Sequence, residues 1–234
     1  MKFRLLVMLA GSSVLCSSAF GQLWYSGDYA GNDIALSVKA FPDEPNPEMV
    51  YDNFTVGASG WNISSAFENV LFAGGEPSDL SIYNWEIRSG MSAGSGGTLV
   101  ASGTSHNPTV IATGRTALGG ALTEYTVTAT GLDINLSAGT YWLGGDFGGQ
   151  PLPAASVYIG LTHGANGVGS PIGDAGTAYV NGGNHPWNWQ PTSDLVGPGG
   201  FSMGVDGTPV PEPSTFVALI GFGGLLACRR RINK

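Results

Sequence analysis

Glycine and proline occur along the whole chain, and their distribution constrains the fold more than any other feature. The 234 residues include 38 glycines and 14 prolines, and few windows of even twelve residues lack both. A glycine inside a helix costs about 1 kcal/mol relative to alanine, and a proline about 3 kcal/mol. Long helices are therefore excluded from most of the chain, and the ordered part is expected to consist of strands.

Apolar and polar residues alternate with period two in several segments, as they do in strands that bury one face. Turn-forming residues separate these segments, and no helical pattern lies between them. This arrangement predicts an all-β fold, an antiparallel β-sandwich of eight to ten strands, and we expect its topology to be a jelly roll. The alternating segments are Trp61–Phe67, Tyr83–Ile87, Tyr125–Ala129, Val157–Leu161 and Phe201–Val205.

Three other segments are predicted to lie outside the strands. The pair Gly144-Gly145 is expected to be a break between strands, because paired glycines favour turns. Phe41–Glu48 contains three prolines and is expected to be a long surface loop. Asn181–Gly200 is expected to be a second long loop.

Residues 1–21 have the three-part layout of a secretory signal peptide. A basic start precedes the apolar run Leu5–Leu15, and small residues Ala19 and Gly21 precede a predicted cut before Gln22. The eleven residues of the run are too few to span a bilayer core of ~30 Å. We therefore predict that the chain is exported.

The C-terminal end combines an apolar segment with a basic cluster. Phe216–Cys228 has thirteen residues, and at ~1.5 Å per residue a helix of this length reaches roughly 20 Å, short of a full span. The basic residues after it are expected to stay on the cytoplasmic side of the membrane. A short hydrophobic helix with a basic stop is a weak permanent anchor and a suitable processing signal.

Val210, Pro211, Glu212 and Pro213 precede the apolar segment, and an arginine cluster follows it. With these parts in this order, residues 209–234 resemble the PEP-CTERM sorting signal, which is also catalogued as an ice-binding protein C-terminal motif. The resemblance implies that the partner is an exosortase, a membrane-bound cysteine transpeptidase that removes the tail near the Pro-Glu-Pro motif. It implies a protein anchored transiently in the inner membrane through its unprocessed tail, and then placed at the cell surface or in the extracellular matrix. The residues that carry the resemblance are Val210, Pro211, Glu212, Pro213, Arg229, Arg230 and Arg231.

Residues 22–208 are predicted to form one domain of 187 residues. Cys16 and Cys228 lie outside it, so no disulfide is expected within it. The domain has three basic and sixteen acidic residues, a formal net charge of −13. Such a surface repels nucleic acid, and we predict no nucleic-acid partner.

Parts of the domain resemble exported bacterial jelly-roll ectodomains, which implies a fold and no particular activity. The segments concerned are Tyr51–Phe54, Trp85–Arg88 and Ala138–Leu143. We expect a non-enzymatic structural or adhesive module of the cell envelope or extracellular polysaccharide, with no cofactor.

The sequence also leaves a carbohydrate-binding module open. Trp187 and Trp189 lie in a predicted loop, beside amide side chains that can bond hydroxyl groups. Exposed tryptophans form flat surfaces on which sugar rings stack. The alternative is that these side chains fold back and cap the sandwich.

Acidic residues give two further alternatives. The first is a glycoside hydrolase or lyase, which needs two acidic side chains across a cleft. Glu86 and Glu124 are the candidates, because both lie within predicted strands. Glu86 is expected to face solvent. A structural calcium ion is also left open, without an assigned ligand set, because carboxylates cluster near the domain start. These carboxylates are Asp28, Asp33, Asp43 and Glu44.

Overall fold

The structure, a computed structural model, describes residues 21–31, 35–38, 48–73, 76–148, 157–173, 178–182, 187–195, 197 and 199–210. Its fourteen strands form two antiparallel sheets with a shared apolar core, which confirms the predicted all-β sandwich. Three short 3-10 turns, at Pro77–Asp79, Leu118–Gly120 and Thr192–Asp194, complete the regular structure. The described part of the chain has no helix with the length and apolarity needed to cross a membrane.

The eight-stranded sheet is built around one long central strand. That strand, β4, pairs along one edge with β8 and along the other with β14 and then β10. β1 extends the sheet beyond β14, β7 lies beyond β8, and β2 and β13 both pair with β10. The strands are β1 (Gly21–Tyr25), β2 (Ala35–Ser37), β4 (Trp61–Phe72), β7 (Thr109–Ala117), β8 (Leu122–Leu136), β10 (Val157–Thr162), β13 (Gly200–Phe201) and β14 (Met203–Pro209).

The six-stranded sheet has the order β12-β11-β3-β9-β5-β6. Its strands are β3 (Met49–Val56), β5 (Ile82–Ser89), β6 (Thr98–His106), β9 (Gly139–Gly148), β11 (Tyr179–Gly182) and β12 (Trp187–Pro191). The jelly-roll topology stays a prediction.

Aromatic side chains from the inner faces of both sheets form the centre of the core. Phe54 of β3 stacks against Trp24 and Trp61, with ring centroids 5.4 and 5.9 Å apart. Tyr83 and Phe147 stack at 4.9 Å on the neighbouring strands β5 and β9. Trp61 and Tyr83 come from predicted alternating segments, so period-two patterning locates part of the core.

Two predicted interruptions are wrong. Gly144 and Gly145 lie inside β9 and not in a turn. Glycine is needed at both positions because neighbouring side chains occupy the space of a Cβ atom: the Tyr51 ring at Gly144, and Glu68 and Tyr83 at Gly145. The predicted loop 181–200 contains the end of β11 and all of β12. The described residues also hold more strands than the predicted eight to ten, whereas most of the predicted loop 41–48 lies outside them.

Candidate functional site

The end of the sandwich coincides with the start of the predicted sorting tail. Pro209 pairs with Trp61 as the last residue of β14. The Val210 amide donates a hydrogen bond to the Gly60 carbonyl oxygen at 3.0 Å, while its side chain is exposed. Pro211, Glu212, Pro213 and Arg229–Arg231 lie outside the described residues, as do the predicted signal peptide up to residue 20 and the predicted C-terminal helix.

Trp189 folds onto the outer face of the six-stranded sheet. Its ring centroid lies 5.0 Å from that of Tyr51, and the Arg88 guanidinium carbon lies 4.7 Å from the ring centre. The side chain is half-buried, and its backbone adopts a φ of +52°. The side chain of Trp187 lies outside the described part of the structure.

Four buried side chains lie beneath and beside Trp189, and we call them the outer aromatic cluster. Tyr51, Trp142 and Tyr179 are no more than 7% exposed, and Met91 is 6% exposed. Trp142 is therefore buried on the outer face. Met91 reaches this cluster from the connection between β5 and β6.

Glu86 lies at the edge of the outer aromatic cluster and is held by three groups. The Tyr51 hydroxyl donates to Oε1, and Arg88 donates from Nε to Oε1 at 2.7 Å and from Nη2 to Oε2 at 3.1 Å. Glu86 and Arg88 are two residues apart on β5, so their side chains share one face. Glu86 faces outward, but it is only 8% exposed, so the expectation that it faces solvent is wrong.

This environment also perturbs the neighbouring ionisable groups. Burial, followed by the charge and hydrogen bond of Glu86, raises the pKa of Tyr51 far above its ordinary value. Burial acts to lower the pKa of Arg88, but the hydrogen bond and charge of Glu86 raise it overall. The arginine therefore stays charged, and it compensates the glutamate.

A second carboxyl group, that of Asp146, lies near Glu86. β5 and β9 pair Glu86 with Gly144 and Asn84 with Asp146, so the two acids are diagonal neighbours. Asn84 Nδ2 donates to Asp146 Oδ1 at 2.7 Å. Burial raises the pKa of Asp146 to about 6, a net value that includes a lowering by the Asn84 hydrogen bond and a smaller raising by the charge of Glu86.

Glu124 lies on the opposite outer face of the sandwich. It is fully buried on β8, where Arg115 Nε and Thr113 Oγ1 each donate to Oε2 at 2.5 Å. Its Oε1 has no hydrogen-bond partner among the described residues. Arg115 also reaches Asp28, with Nη1 3.1 Å from Oδ2. The structure therefore places Glu86 and Glu124 on different sheets and does not bring them together as an acid pair.

A polar groove of about 380 Å³ crosses the outer face of the eight-stranded sheet next to this ion pair. Five neighbouring strands, β1, β14, β4, β8 and β7, supply its lining. At a strand spacing of ~4.8 Å, these five strands extend over roughly 19 Å. Side chains that define the groove are Gln22, Phe67, Asn69, Arg115, Thr128 and Asp206.

The groove was not predicted from the sequence. Thr126 and Thr128 alternate with core residues on β8, so an outward-facing polar row was visible there. The neighbours of that row come from strand registers that a single sequence does not give. By contrast, the spacing of Glu86 and Arg88 was a local signal for their ion pair.

The described residues contain no group of three or more histidine, cysteine, aspartate or glutamate side chains that could hold a metal ion. Asp28 is engaged by Arg115, Tyr25 and Asn166. Asp33, Asp43 and Glu44 lie outside the described residues. His106 and His163 are exposed.

Comparison with known proteins identifies the tail. The family model for the PEP-CTERM protein-sorting motif matches residues 209–231, which confirms the sorting motif predicted there. The motif is a substrate signal for exosortase processing, and it marks an exported protein that is processed at the membrane and goes to the cell surface. No curated protein and no solved structure shows a significant match to the chain.

Proposed function

We propose that this chain is an exosortase-processed protein of the cell envelope or extracellular matrix, and that its β-sandwich is a non-catalytic structural or adhesive module. The observation that carries the proposal is the junction at residue 209. The last strand of the sandwich ends at Pro209, and the match to the sorting motif begins at that residue. The folded domain and the sorting signal therefore adjoin and share only Pro209, the last residue of β14.

This junction supports processing of a completely folded domain. Within the described residues, all strand pairs are formed by residues up to 209, and Val210 adds one backbone hydrogen bond. Cleavage near Pro213 would remove none of these interactions. Export by the signal peptide at 1–21, transient anchoring by the tail, and transfer to the surface or matrix complete the proposed route.

The arrangement of acidic residues supports a non-catalytic role. Both carboxylate oxygens of Glu86 are occupied by Arg88 and Tyr51. Glu124 is fully buried and lies across the sandwich from Glu86. The structure therefore does not bring Glu86 and Glu124 together as the acid–base pair that glycoside hydrolysis requires.

Variants of the sorting motif test the proposal. A Pro211→Ala/Glu212→Ala double variant should accumulate in the inner membrane with its tail intact, whereas Ser214→Ala is the adjacent control. Fractionation of the host cells with detection of the sandwich measures this distribution. Arrival of the double variant at the surface without its tail would contradict the proposal.

Carbohydrate binding is the second candidate function. Trp189 is half-buried against Tyr51 and Arg88, and the exposed part of this residue supports the hypothesis that Trp187 and Trp189 contact a sugar. The groove on the opposite sheet offers a larger surface for the same class of ligand, such as an extracellular polysaccharide.

A further inference from the structure

We infer that the groove on the eight-stranded sheet, defined by Gln22, Phe67, Asn69, Arg115, Thr128 and Asp206, binds a neutral polysaccharide chain. This inference rests on the adhesive role proposed above and gives it a site and a ligand class. It also places the site on the sheet opposite to Trp189.

The size of the groove fits part of a polymer. Its volume of about 380 Å³ falls within the range of ≈ 300–1,000 Å³ that is typical of ligand sites. The lining extends across five neighbouring strands, or roughly 19 Å. Because its lining residues come from five strands in a row on the outer face of the sheet, a chain that lies across the strands would contact all of them.

The lining combines two largely buried aromatic rings with hydrogen-bonding groups. Phe67 contacts Tyr25, with ring centroids 5.6 Å apart, and each of the two residues is 7% exposed. Amide, hydroxyl and carboxylate groups from Gln22, Thr128 and Asp206 surround these rings. Sugar rings have apolar C–H faces and hydroxyl groups that both donate and accept hydrogen bonds, so they complement such a lining.

The charge of the groove selects against anionic ligands. Arg115 is the one basic side chain among the described lining residues, and it is paired with Asp28 and Glu124. Asp206 adds a further carboxyl group to the lining. With a formal net charge of −13 on residues 22–208, phosphate or uronate groups would be repelled. A neutral, hydroxyl-rich chain carries no such penalty.

Hydrogen bonds between the lining residues hold the groove in place. Asn69 Nδ2 donates to the Tyr25 hydroxyl at 2.9 Å, and Thr126 Oγ1 donates to Asn69 Oδ1 at 2.6 Å. The Tyr25 hydroxyl donates in turn to Asp28 Oδ1 at 2.7 Å. A ligand would therefore order few additional side chains, which reduces the entropic cost of binding.

Other groups are free to bind hydroxyls. Within the described part of the chain, the side chains of Gln22 and Thr128 make no hydrogen bond to the protein. Both side chains line the groove and can therefore bond to sugar hydroxyls.

Affinity electrophoresis of the full chain, purified in mild detergent, tests the inference. The neutral probes are hydroxyethylcellulose, xyloglucan, galactomannan and β-1,3-glucan, and the anionic probes are polygalacturonate and heparin. We expect at least one neutral probe to retard the protein, and neither anionic probe to do so. Retardation by no neutral probe, or by an anionic probe, overturns the inference.

Two matched variants locate the site. Thr128→Lys places a long side chain inside the groove, and Thr98→Lys makes the same change at an exposed position of the opposite sheet. We expect Thr128→Lys to weaken binding by about tenfold or more, and Thr98→Lys to bind as the natural chain does. A smaller effect of Thr128→Lys, at unchanged thermal stability, overturns the assignment. Gln22→Ala, at an exposed position, gives a second variant that preserves the core.

Two further variants separate the remaining explanations. If Trp189→Ala lost binding while Thr128→Lys still bound, the groove would be ruled out as the binding site. That result would favour Trp187 and Trp189 as the site. The Pro211→Ala/Glu212→Ala variant is expected to bind glycan normally while failing to be sorted. A failure of the sorting proposal and a failure of the groove therefore give different results.

Discussion

At the scale of single residues, each outer face of the sandwich contains a carboxylate covered by an arginine. Glu86 pairs with Arg88 on one sheet, and Glu124 pairs with Arg115 on the other. Both glutamates are at least nine-tenths buried, so their charges depend on these arginines. Removing one partner of a buried ion pair leaves an uncompensated charge, which is the strongly destabilising case.

Arg115→Met tests this dependence. The substitution leaves the fully buried Glu124 unpaired, but Arg115 itself is 34% exposed, so solvent reduces the effect. We expect the free energy of unfolding to fall by about 2 kcal/mol in urea denaturation. Glu124→Gln in the same chain removes the buried charge and should recover part of the loss. A double variant no more stable than Arg115→Met would contradict this account.

Glu68 gives the core a pH dependence. It is fully buried on β4, where it accepts a hydrogen bond from the Tyr83 hydroxyl at 3.2 Å. Burial raises its pKa to about 8 from an ordinary value of 4.5. A carboxyl group whose pKa rises on folding contributes its full stabilisation of the folded state at pH values below the pKa of the unfolded state. This contribution is lost as the pH rises through the pKa of the folded state.

We therefore predict that the free energy of unfolding falls between pH 4.5 and 8, the two pKa values of Glu68. Asp146, with a folded pKa of about 6, adds to this slope only in the lower part of the range. Glu68→Gln should abolish the slope between about pH 6 and 8 and reduce the slope between pH 4.5 and 6 to the contribution of Asp146, whereas Glu76→Gln, at an exposed position, should change neither. Urea denaturation at a series of pH values measures this. A persistent upper slope in Glu68→Gln would refute the assignment.

At the scale of elements, β9 depends on two glycines that pack rather than turn. The Tyr51 ring occupies the position that a Cβ atom on Gly144 would take. The side chains of Glu68 and Tyr83 occupy the corresponding position at Gly145. These close approaches let the outer aromatic cluster lie flat on the sheet. The glycines are therefore part of the packing of both faces.

Gly144→Ala should destabilise the sandwich by roughly 1–3 kcal/mol, because the added methyl group displaces the Tyr51 ring. Gly57→Ala is the matched control, since no atom lies within 4 Å of its added Cβ and its φ is not positive. The control should be neutral or slightly stabilising. Thermal unfolding of the two variants measures the difference. Equal stabilities would argue against the packing role.

The same glycines illustrate what the sequence could predict. β4, β5, β8 and β10 were found because each has one apolar face, and period-two alternation reports such a face directly. β6 and β7 are rich in exposed polar positions and gave no comparable signal. Gly144 and Gly145 were misinterpreted because their role depends on side chains from other strands.

At the scale of the whole molecule, the two outer faces differ in character. One carries the outer aromatic cluster, and the other carries the polar groove. Both surfaces depend on strand register, so no local pattern predicted either one as a unit. The sorting tail, in contrast, is a linear motif, and it was predicted from the sequence because its parts follow one another along the chain.

The central claim is that the sandwich ends where the sorting signal begins, so that processing leaves the domain intact. The most direct test is the intact mass and terminal peptide map of the protein recovered from the cell surface of its host. We predict a mature chain that begins at Gln22, ends near Pro213 and lacks the segment Phe216–Lys234. Recovery of the surface protein with that segment still attached would contradict the claim.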